Sequence, residues 1–481
     1  MNCTKIDQSR KTLLQNILQQ YPPVVEIIKQ ITQHKGRALL VGGAVRDLLL
    51  GLPFKDLDIE VHGIPLDELQ KILEQFGHVK LVGKSFGVLR LCSTHPHPEE
   101  HREMRLEGDW SLPRSDSSGR HPEVNIDPYM KIEDAFKRRD LTINAMGIDL
   151  STDELVDPWG GCADLQKGIL RAPDAALFKE DPLRLFRVMQ FIGRFGFTPD
   201  KELNDLCAHM DLSTISVERI ESEFDKLLLK SAQPSLGLRW LEKIGRLKEI
   251  FPELHATVGI KQEHDWHPEG DVFEHSMQAI DAGAQLSYES PEQKLIALFA
   301  LMCHDLGKVS TTHLIDGRLR SHGHEEAGVP LAKSLLKRIT RRVDLIHAVE
   351  KLVRHHMAPG QFPKNNAKLP AYKRLATKLA PDVSMELLAR ISLADKRGRN
   401  PESNKPLIKD VPEVEQFLQM AQKANVVYKP EEPLLLGRDL EGKVEPGPKM
   451  GKLLKEAYEI QIDEGIADKV ELLKRVLSTK E

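Results

Sequence analysis

The sequence predicts an α+β head followed by a long all-helical remainder, and three features carry that prediction. In Leu39-Leu40-Val41-Gly42-Gly43-Ala44-Val45-Arg46-Asp47 an apolar run ends at a glycine pair, and Ala44 to Leu50 then runs to Gly51 and Pro53. That order reads as strand, tight turn and helix. Nine residues on, Asp56-Leu57-Asp58-Ile59-Glu60-Val61 alternates strictly, the pattern of a strand with one polar and one apolar face. From Lys179 onward, helical spacing prevails.

Each of the first two features has a chemical and a bland reading. Two glycines let the backbone approach a phosphate, the helix start offers N–H groups and a positive dipole end, and Arg46 adds a bidentate donor. A bare Gly-Gly pair otherwise makes only a bend. On the alternating strand, Asp56, Asp58 and Glu60 share a face at spacings of about 7 Å and can grip hard cations. The competing reading is a solvated edge strand, where repulsion between like charges is costly.

At 481 residues the chain exceeds one core, and roughly three or four domains are expected. A net charge of −4 gives no global basic signal, so a nucleic-acid surface has to be a local patch. The five cysteines lack metal or disulfide spacing, which fits a reducing cytoplasm. No apolar signal core opens the chain, and the longest apolar run, Leu295 to Cys303, is too short for a membrane span. A cytoplasmic protein without a membrane partner is the expectation.

Thr12 to Gln33 has helical spacing broken by Pro22-Pro23, so two short amphipathic helices precede the head. Leu66 to Phe76 reads as helix, and Val79 to Val82 and Phe86 to Leu91 as strands. Thr94 to Glu107 holds His95, His97 and His101 among prolines and acids; it reads as an exposed insertion and not as a metal site. Ser115 to Val124 reads as a loop.

Together LVGGAVRDLLLG and KDLDIEV resemble the head signature of the class II tRNA nucleotidyltransferases, the CCA-adding enzymes, within the polymerase-beta-like superfamily. The resemblance implies Mg²⁺ held by Asp56 and Asp58, and a nucleoside triphosphate bound by Gly43 and Arg46. It adds Asp109, in Asp109-Trp110-Ser111-Leu112-Pro113-Arg114, as a third catalytic carboxylate. Lys137-Arg138-Arg139-Asp140-Leu141-Thr142-Ile143-Asn144-Ala145-Met146 sets a basic triplet, often just a solvated face, beside an apolar strand-like run. It resembles the family's RRDLTINAM motif, which implies Arg139 on the nucleotide and Asp140 on the ribose. Asp157-Pro158-Trp159-Gly160-Gly161 resembles the hinge between head and neck.

From Lys179 to Arg194 the period is helical, and Asp181, Arg184 and Arg187 recur every three residues along one side. A surface ion pair plus a spare cation would explain them locally. Glu180-Asp181-Pro182-Leu183-Arg184 matches the family's E-D-x-x-R motif, which implies that Asp181 and Arg184 read the incoming base. An acceptor-only and a donor-only side chain complement the exocyclic amine and ring nitrogen shared by cytosine and adenine, and mismatch uracil and guanine. The resemblance places Arg187 on the triphosphate, whereas Gln190 stands where close bacterial relatives commonly carry another Arg. Asp211 to Leu229 resembles the body motif, and beyond it Lys226, Lys230, Arg239, Lys243, Arg246 and Lys248 are expected to form a basic surface, either a solvated face or a tRNA acceptor-stem track.

A second site is expected further on. His275, His304, Asp305, His324, His355, His356 and Asp395 follow the order H, HD, H, HH, D within a helical stretch. A single helical His is ordinarily a packed core or surface residue. Seven such ligands suit a borderline metal that can generate a bound hydroxide. His304-Asp305-Leu306-Gly307-Lys308 resembles the HD-domain phosphohydrolase signature, found C-terminally in some bacterial CCA-adding enzymes. Ni²⁺, Co²⁺ or Mn²⁺ is the expected metal, and phosphatase or 2′,3′-cyclic phosphodiesterase the expected activity.

The expected organisation is an N-terminal helical extension over 1–36, a nucleotidyltransferase head over 37–150, and a helical neck and body over 151–255. An HD domain over 256–405 and a helical tail over 406–481 complete it. The implied reaction is template-independent addition of C, C and A to a tRNA 3′ end from CTP and ATP. A bacterial poly(A) polymerase, a CC-only or A-only enzyme, and a tRNA-binding protein with a vestigial site are the alternatives.

Overall fold

The computed structural model describes residues 6–54, 57–82, 87–96, 103–116, 124–402 and 405–478. Asp56, His97, His101 and residues 117–123 of the expected loop thus lie outside the described residues. The chain divides into two compact units, Met1–Ile215 and Ser216–Glu481, and the 151–255 segment contributes to both.

The first unit begins with α1 (Gln8–Gln19) and α2 (Pro22–Gln33), split where the proline pair predicts, with Pro22 on the first turn of α2. Then follow β1 (Arg37–Val41), α3 (Gly43–Leu50), β2 (Asp58–His62), α4 (Leu66–Glu74), β3 (His78–Val82), β4 (Val88–Pro96) and β5 (Glu103–Ser111). Next come β6 (Arg114–Asp116), β7 (Val124–Ile126), α5 (Ile132–Lys137), β8 (Gly147–Asp149) and β9 (Glu154–Val156). A seven-stranded sheet forms in the order β3-β4-β5-β2-β1-β8-β9. Neighbours run antiparallel except β2 and β5, which are parallel. Ile59 and Val61 of β2 are buried in the core, as strict alternation requires.

Two local expectations are corrected. The described parts of the Thr94 to Glu107 segment are regular strand: β4 and β5 stay paired up to Pro96 opposite Glu103, because backbone pairing outlasts the apolar pattern. The run after Arg139 is not a strand. Thr142–Asn144 forms a 3₁₀ turn, held by Asn144 Nδ2 on Asp140 Oδ1 at 2.9 Å and Thr142 Oγ1 on Asp164 Oδ2 at 2.7 Å.

The first unit ends with α6 (Gly161–Lys167), β10 (Ile169–Leu170), α7 (Ala175–Lys179), α8 (Leu183–Phe195), β11 (Thr198–Pro199) and α9 (Lys201–Ala208). A Cβ on Gly161 would fall 2.0 Å from the Thr142 carbonyl oxygen, so this glycine of the expected hinge permits close packing of α6 on the 3₁₀ turn.

Among its described residues the second unit is helical apart from one hairpin. Its body carries α10 (Val217–Lys230), α11 (Ser235–Lys243), α12 (Leu247–Ile250) and α13 (Pro252–His255). The HD region follows with α14 (Val272–Ala284), α15 (Pro291–Cys303), α16 (Lys308–Thr311), β12 (Thr312–Ile315), β13 (Arg318–Ser321), α17 (His324–Ile339) and α18 (Val343–His355). It is completed by α19 (Ala358–Lys364), α20 (Leu369–Leu379) and α21 (Met385–Arg397). The tail holds α22 (Pro412–Lys423), α23 (Pro448–Glu464) and α24 (Lys469–Ser478). α23 and α24 share a core that includes Leu453, Ala457, Leu472 and Val476.

The expected basic surface is partly neutralised. Arg239 donates to Glu274, Lys226 pairs with Glu223 at 2.7 Å, and Arg246 is buried beside Glu249. Lys230, Lys243 and Lys248 remain exposed.

Candidate active sites

In the first unit the site forms where β1 turns into α3. Gly42 takes φ +71°, which favours glycine, and a Cβ there would lie 3.0 Å from Arg139 Nη1, so glycine also leaves room for that guanidinium beside the turn. Arg139 also donates to Glu60 Oε2 at 3.2 Å and lies over the Phe136 ring. Glu60 is buried; burial opposes its charge, but His62 and Arg139 hold its carboxyl below the usual range. Glu60 is thereby a partner of Arg139, while Asp58 on the same face is exposed.

Asp58 and Asp109 are register partners on the parallel β2–β5 pair, so the predicted third carboxylate stands beside the second. Asp109 is clamped by Arg90 Nε at 2.7 Å and Nη2 at 2.9 Å. A cleft joins Asp58, Glu60 and Asp109 to Arg138, Arg139 and Arg184. Carboxylate oxygens on adjacent strands are the donor set a hard divalent cation takes, and the arginines suit phosphate oxygens.

Arg46 differs from the expectation of a donor open to phosphate. It is 4% exposed, its Nε donates to Asp47 at 2.9 Å, its Nη1 donates to Asn144 Oδ1 at 2.6 Å, and its carbon Cζ lies 5.1 Å from the centroids of both Phe191 and Phe195. A chain of hydrogen bonds continues from Asn144 to Asp140, which accepts from Arg187 Nε at 2.7 Å. Asp140 is buried; burial raises its carboxyl, but the Arg187 charge, hydrogen bonds from Asn144 and Arg187, and the Arg184 charge together hold it below the usual range. Arg46, Asp140 and Arg187 therefore tie the turn to α8.

Asp181 precedes α8 and does not lie along it, since Pro182 starts a new helix; its Oδ1 accepts from Leu183 N at 3.2 Å. Arg184 donates to the carbonyls of Leu177 at 2.9 Å and Arg138 at 2.5 Å. Gln190 is buried in α8.

In the second unit, six of the seven expected ligands converge from the ends of five helices and are all buried. His275 Nε2 lies 3.2 Å from His304 Nε2, and His324 Nε2 lies 3.2 Å from His356 Nε2. Asp305 stands between the pairs, with Oδ2 3.3 Å from His304 and Oδ1 3.3 Å from His324. Asp395 Oδ1 closes on His275 at 3.1 Å. A Cβ on Gly307 would fall 2.0 Å from the His324 carbonyl oxygen, so the glycine of the HD signature lets α17 approach.

These residues fit divalent metal. Each of the four imidazoles points Nδ1 at a backbone carbonyl: His275 at Gly398, His304 at Leu301, His324 at Ser321 and His356 at Val353. A proton on Nδ1 leaves every Nε2 lone pair facing the centre. Burial pushes the His356 imidazolium down to about 3, so that ring is neutral at ordinary pH. His355 is a correction: one residue earlier on α18 it is half-exposed, near Lys378 and Arg354, and outside the cluster. Two contributors went unpredicted. Glu269 Oε1 sits 2.7 Å from His275 Nδ1 and 2.9 Å from His267 Nδ1, orienting a ligand from behind. Their signal was present in the run His267-Pro268-Glu269-Gly270-Asp271 just before α14.

A carboxylate-bearing α+β head and an imidazole-carboxylate cluster in a helical unit define a nucleotidyltransferase joined to an HD-type metal domain. Family models agree: residues 38–171 match the poly A polymerase head domain, 196–257 the probable RNA and SrmB-binding site of polymerase A, and 272–396 the HD domain. The multifunctional CCA protein of Pasteurella multocida (strain Pm70) is 35% identical over 376 residues, covering 75% of this chain and 83% of that protein. The chain belongs to this family, the CCA-adding tRNA nucleotidyltransferases that carry an HD domain. The fold is also that of the Bacillus stearothermophilus CCA-adding enzyme in complex with CTP, with a TM-score of 0.60 at 20% identity over 96% of this chain and 98% of that one. The Thermotoga maritima CCA-adding enzyme complexed with tRNA gives 0.56 at 18% identity over 99% and 97%. No helix among the described residues is long and apolar enough to cross a membrane.

Proposed function

We propose that this chain adds C, C and A to the 3′ end of tRNA from CTP and ATP without a nucleic-acid template, in the cytoplasm, and that its HD cluster is a separate phosphohydrolase. The observation that carries the first part is the Asp58–Asp109 register beside the arginine-lined cleft, in a chain 35% identical to a multifunctional CCA protein. Asp56, Asp58 and Asp109 would hold Mg²⁺, which supplies activation of the 3′-hydroxyl and neutralises the leaving pyrophosphate.

The chain's own residues perform the rest. Gly43, at the start of α3, offers its N–H to the triphosphate, with Arg139 beside the turn, while the Gly42 N–H is taken by the Met146 carbonyl. Arg46 supports that turn from below, and Asp140 and Arg187 brace it on α8. Asp181 and Arg184 flank the break before α8, where an acceptor and a donor select cytosine and adenine. Lys230, Lys243 and Lys248 offer exposed charge to the acceptor stem.

At the second site His275, His304 and Asp395, and Asp305, His324 and His356, form two ligand groups for divalent transition metal such as Ni²⁺, Co²⁺ or Mn²⁺. Metal held by these residues would activate water for attack on a phosphoester. Lys308 Nζ, 2.7 Å from Asp305 Oδ2, holds that carboxylate in place. The test is to incubate the protein with a tRNA lacking its CCA end, CTP and ATP, and to sequence the products. A finished CCA end supports the reading; a long A tract, or products stopping at CC, would overturn it.

A further inference from the structure

A cavity of about 470 Å³ opens over the histidine cluster, and its lining includes Trp266, Arg318 and Arg320, which take no part in holding metal. One wall carries Trp266 and His267, and another carries Arg318 and Arg320 of β13. Tryptophan has a large apolar area and is usually drawn inward, yet Trp266 is 56% exposed.

The indole is exposed, and the backbone that carries it is anchored. Trp266 N donates to the Glu263 carbonyl at 3.1 Å, its own carbonyl accepts from Arg399 at 3.4 Å, and Lys364 Nζ lies 5.4 Å over one ring face. The next residue, His267, reaches the metal-ligand His275 through Glu269. Arg318 and Arg320 alternate along β13 and so share a face. Leu319 N donates to Glu263 Oε2 at 3.0 Å, tying the hairpin to the tryptophan segment. Arg318 meets Asp265 at 4.0 Å with both side chains more than half exposed, a pair too loose to occupy the guanidinium.

An exposed indole on an anchored backbone and two guanidinium groups above the histidine cluster suit one ligand chemistry, an aromatic base joined through a sugar to phosphate. A plain phosphate ester would use the cations and leave the ring idle. We propose that Trp266 is the base platform of this site and that Arg318 and Arg320 hold the phosphate of the nucleotide bound there. This rests on the phosphohydrolase reading above. Trp266 precedes the stretch matched by the HD family model, which begins at residue 272.

The test uses the full chain with Mn²⁺ or Ni²⁺ and two matched pairs of substrates. These are 2′,3′-cyclic AMP against glycerol 1,2-cyclic phosphate, and 3′-AMP against glycerol 2-phosphate. In Trp266→Leu, kcat/KM for the base-bearing members should fall roughly 5- to 150-fold, the range of one base stacked on an aromatic ring, while the base-free members move less than about twofold. Trp266→Phe should recover part of the loss. Arg318→Gln with Arg320→Gln should raise KM for both members of each pair. Quenching of intrinsic fluorescence by 3′-AMP, taken as the difference between wild type and Trp266→Leu, should report the contact without turnover. If Trp266→Leu changes both members equally, or neither, the platform is wrong while the phosphohydrolase stands. If wild type hydrolyses none of the four with any divalent metal, both readings fall together.

Discussion

Asp109 stands opposite Asp58 on the one parallel strand pair of the sheet, and Arg90 clamps it through both carboxylate oxygens. Two carboxylates side by side repel unless a cation lies between or beside them. Arg90 offsets that repulsion at Asp109 and leaves Asp58 exposed towards the cleft. We predict that Asp58→Ala or Asp56→Ala lowers nucleotide incorporation by at least ~10²-fold, with tRNA binding largely kept because the body's cations are untouched. Radiolabelled CTP incorporation and a gel-shift titration check this; normal incorporation by both variants would remove the metal assignment.

The position of Asp181 before α8 sets two roles against each other. Its carboxylate accepts from Leu183 N, so it could serve only to start the helix. We predict instead that Asp181→Ala narrows discrimination of CTP over UTP by about tenfold or more, since a lost acceptor removes the mismatch with uracil. Single-nucleotide incorporation ratios decide it. Unchanged ratios with a lowered melting temperature would mean that Asp181 only caps.

His355 and His356 are neighbours in sequence and far apart in role. His356 belongs to the ligand cluster and His355 does not. We predict that His356→Ala and Asp305→Ala abolish phosphohydrolase activity, that His355→Ala retains it within about threefold, and that all three leave CCA addition near normal. The assay is 2′,3′-cyclic AMP hydrolysis after chelation and add-back of Ni²⁺, Co²⁺, Mn²⁺ or Ca²⁺, with Ca²⁺ the poorest. Equal losses in His355→Ala and His356→Ala would contradict the geometry.

Asp281 is buried in α14, where its carboxylate accepts from Ser235 N at 3.0 Å and Ser235 Oγ at 2.7 Å. Burial pushes its carboxyl up to about 6, against those hydrogen bonds. A carboxyl that holds its proton more tightly folded than unfolded favours the folded state at low pH. Its contribution is fully present below about pH 4 and is lost as pH rises to about 6, an effect on the order of 2–3 kcal/mol. We predict that Asp281→Asn gains stability relative to wild type over this interval and holds a constant difference above it. Urea denaturation at pH 4 to 7 measures this; a difference flat across the interval would show that Asp281 does not titrate there.

Arg46 illustrates how a motif residue can act from beneath a site. Its guanidinium is enclosed by Asp47, Asn144, Phe191 and Phe195. We predict that Arg46→Ala destabilises the protein by about 2–4 kcal/mol, because Asp47 and Asn144 lose a buried donor. Thermal unfolding alongside the KM for CTP separates this from phosphate contact. A raised KM with unchanged stability would restore the direct role.

The sequence by itself determined the periodic elements and the chemical inventory. Alternation at Asp58 to Val61 and helical spacing after Lys179 each state which residues share a face, a local property of backbone geometry. The order H, HD, H, HH, D likewise named seven residues, of which all but His355 meet in the second unit. The tertiary structure decided which faces meet. Adjacent residues on a helix point about 100° apart, so α18 could present either histidine to the cluster, and packing against α17 selected His356. The parallel pairing of β2 with β5, the burial of Arg46 under α8, and the arrival of Arg318 and Arg320 across the cavity from Trp266 join segments distant in sequence. No local spacing encodes those contacts, because each depends on how already-formed elements bury their apolar faces against one another.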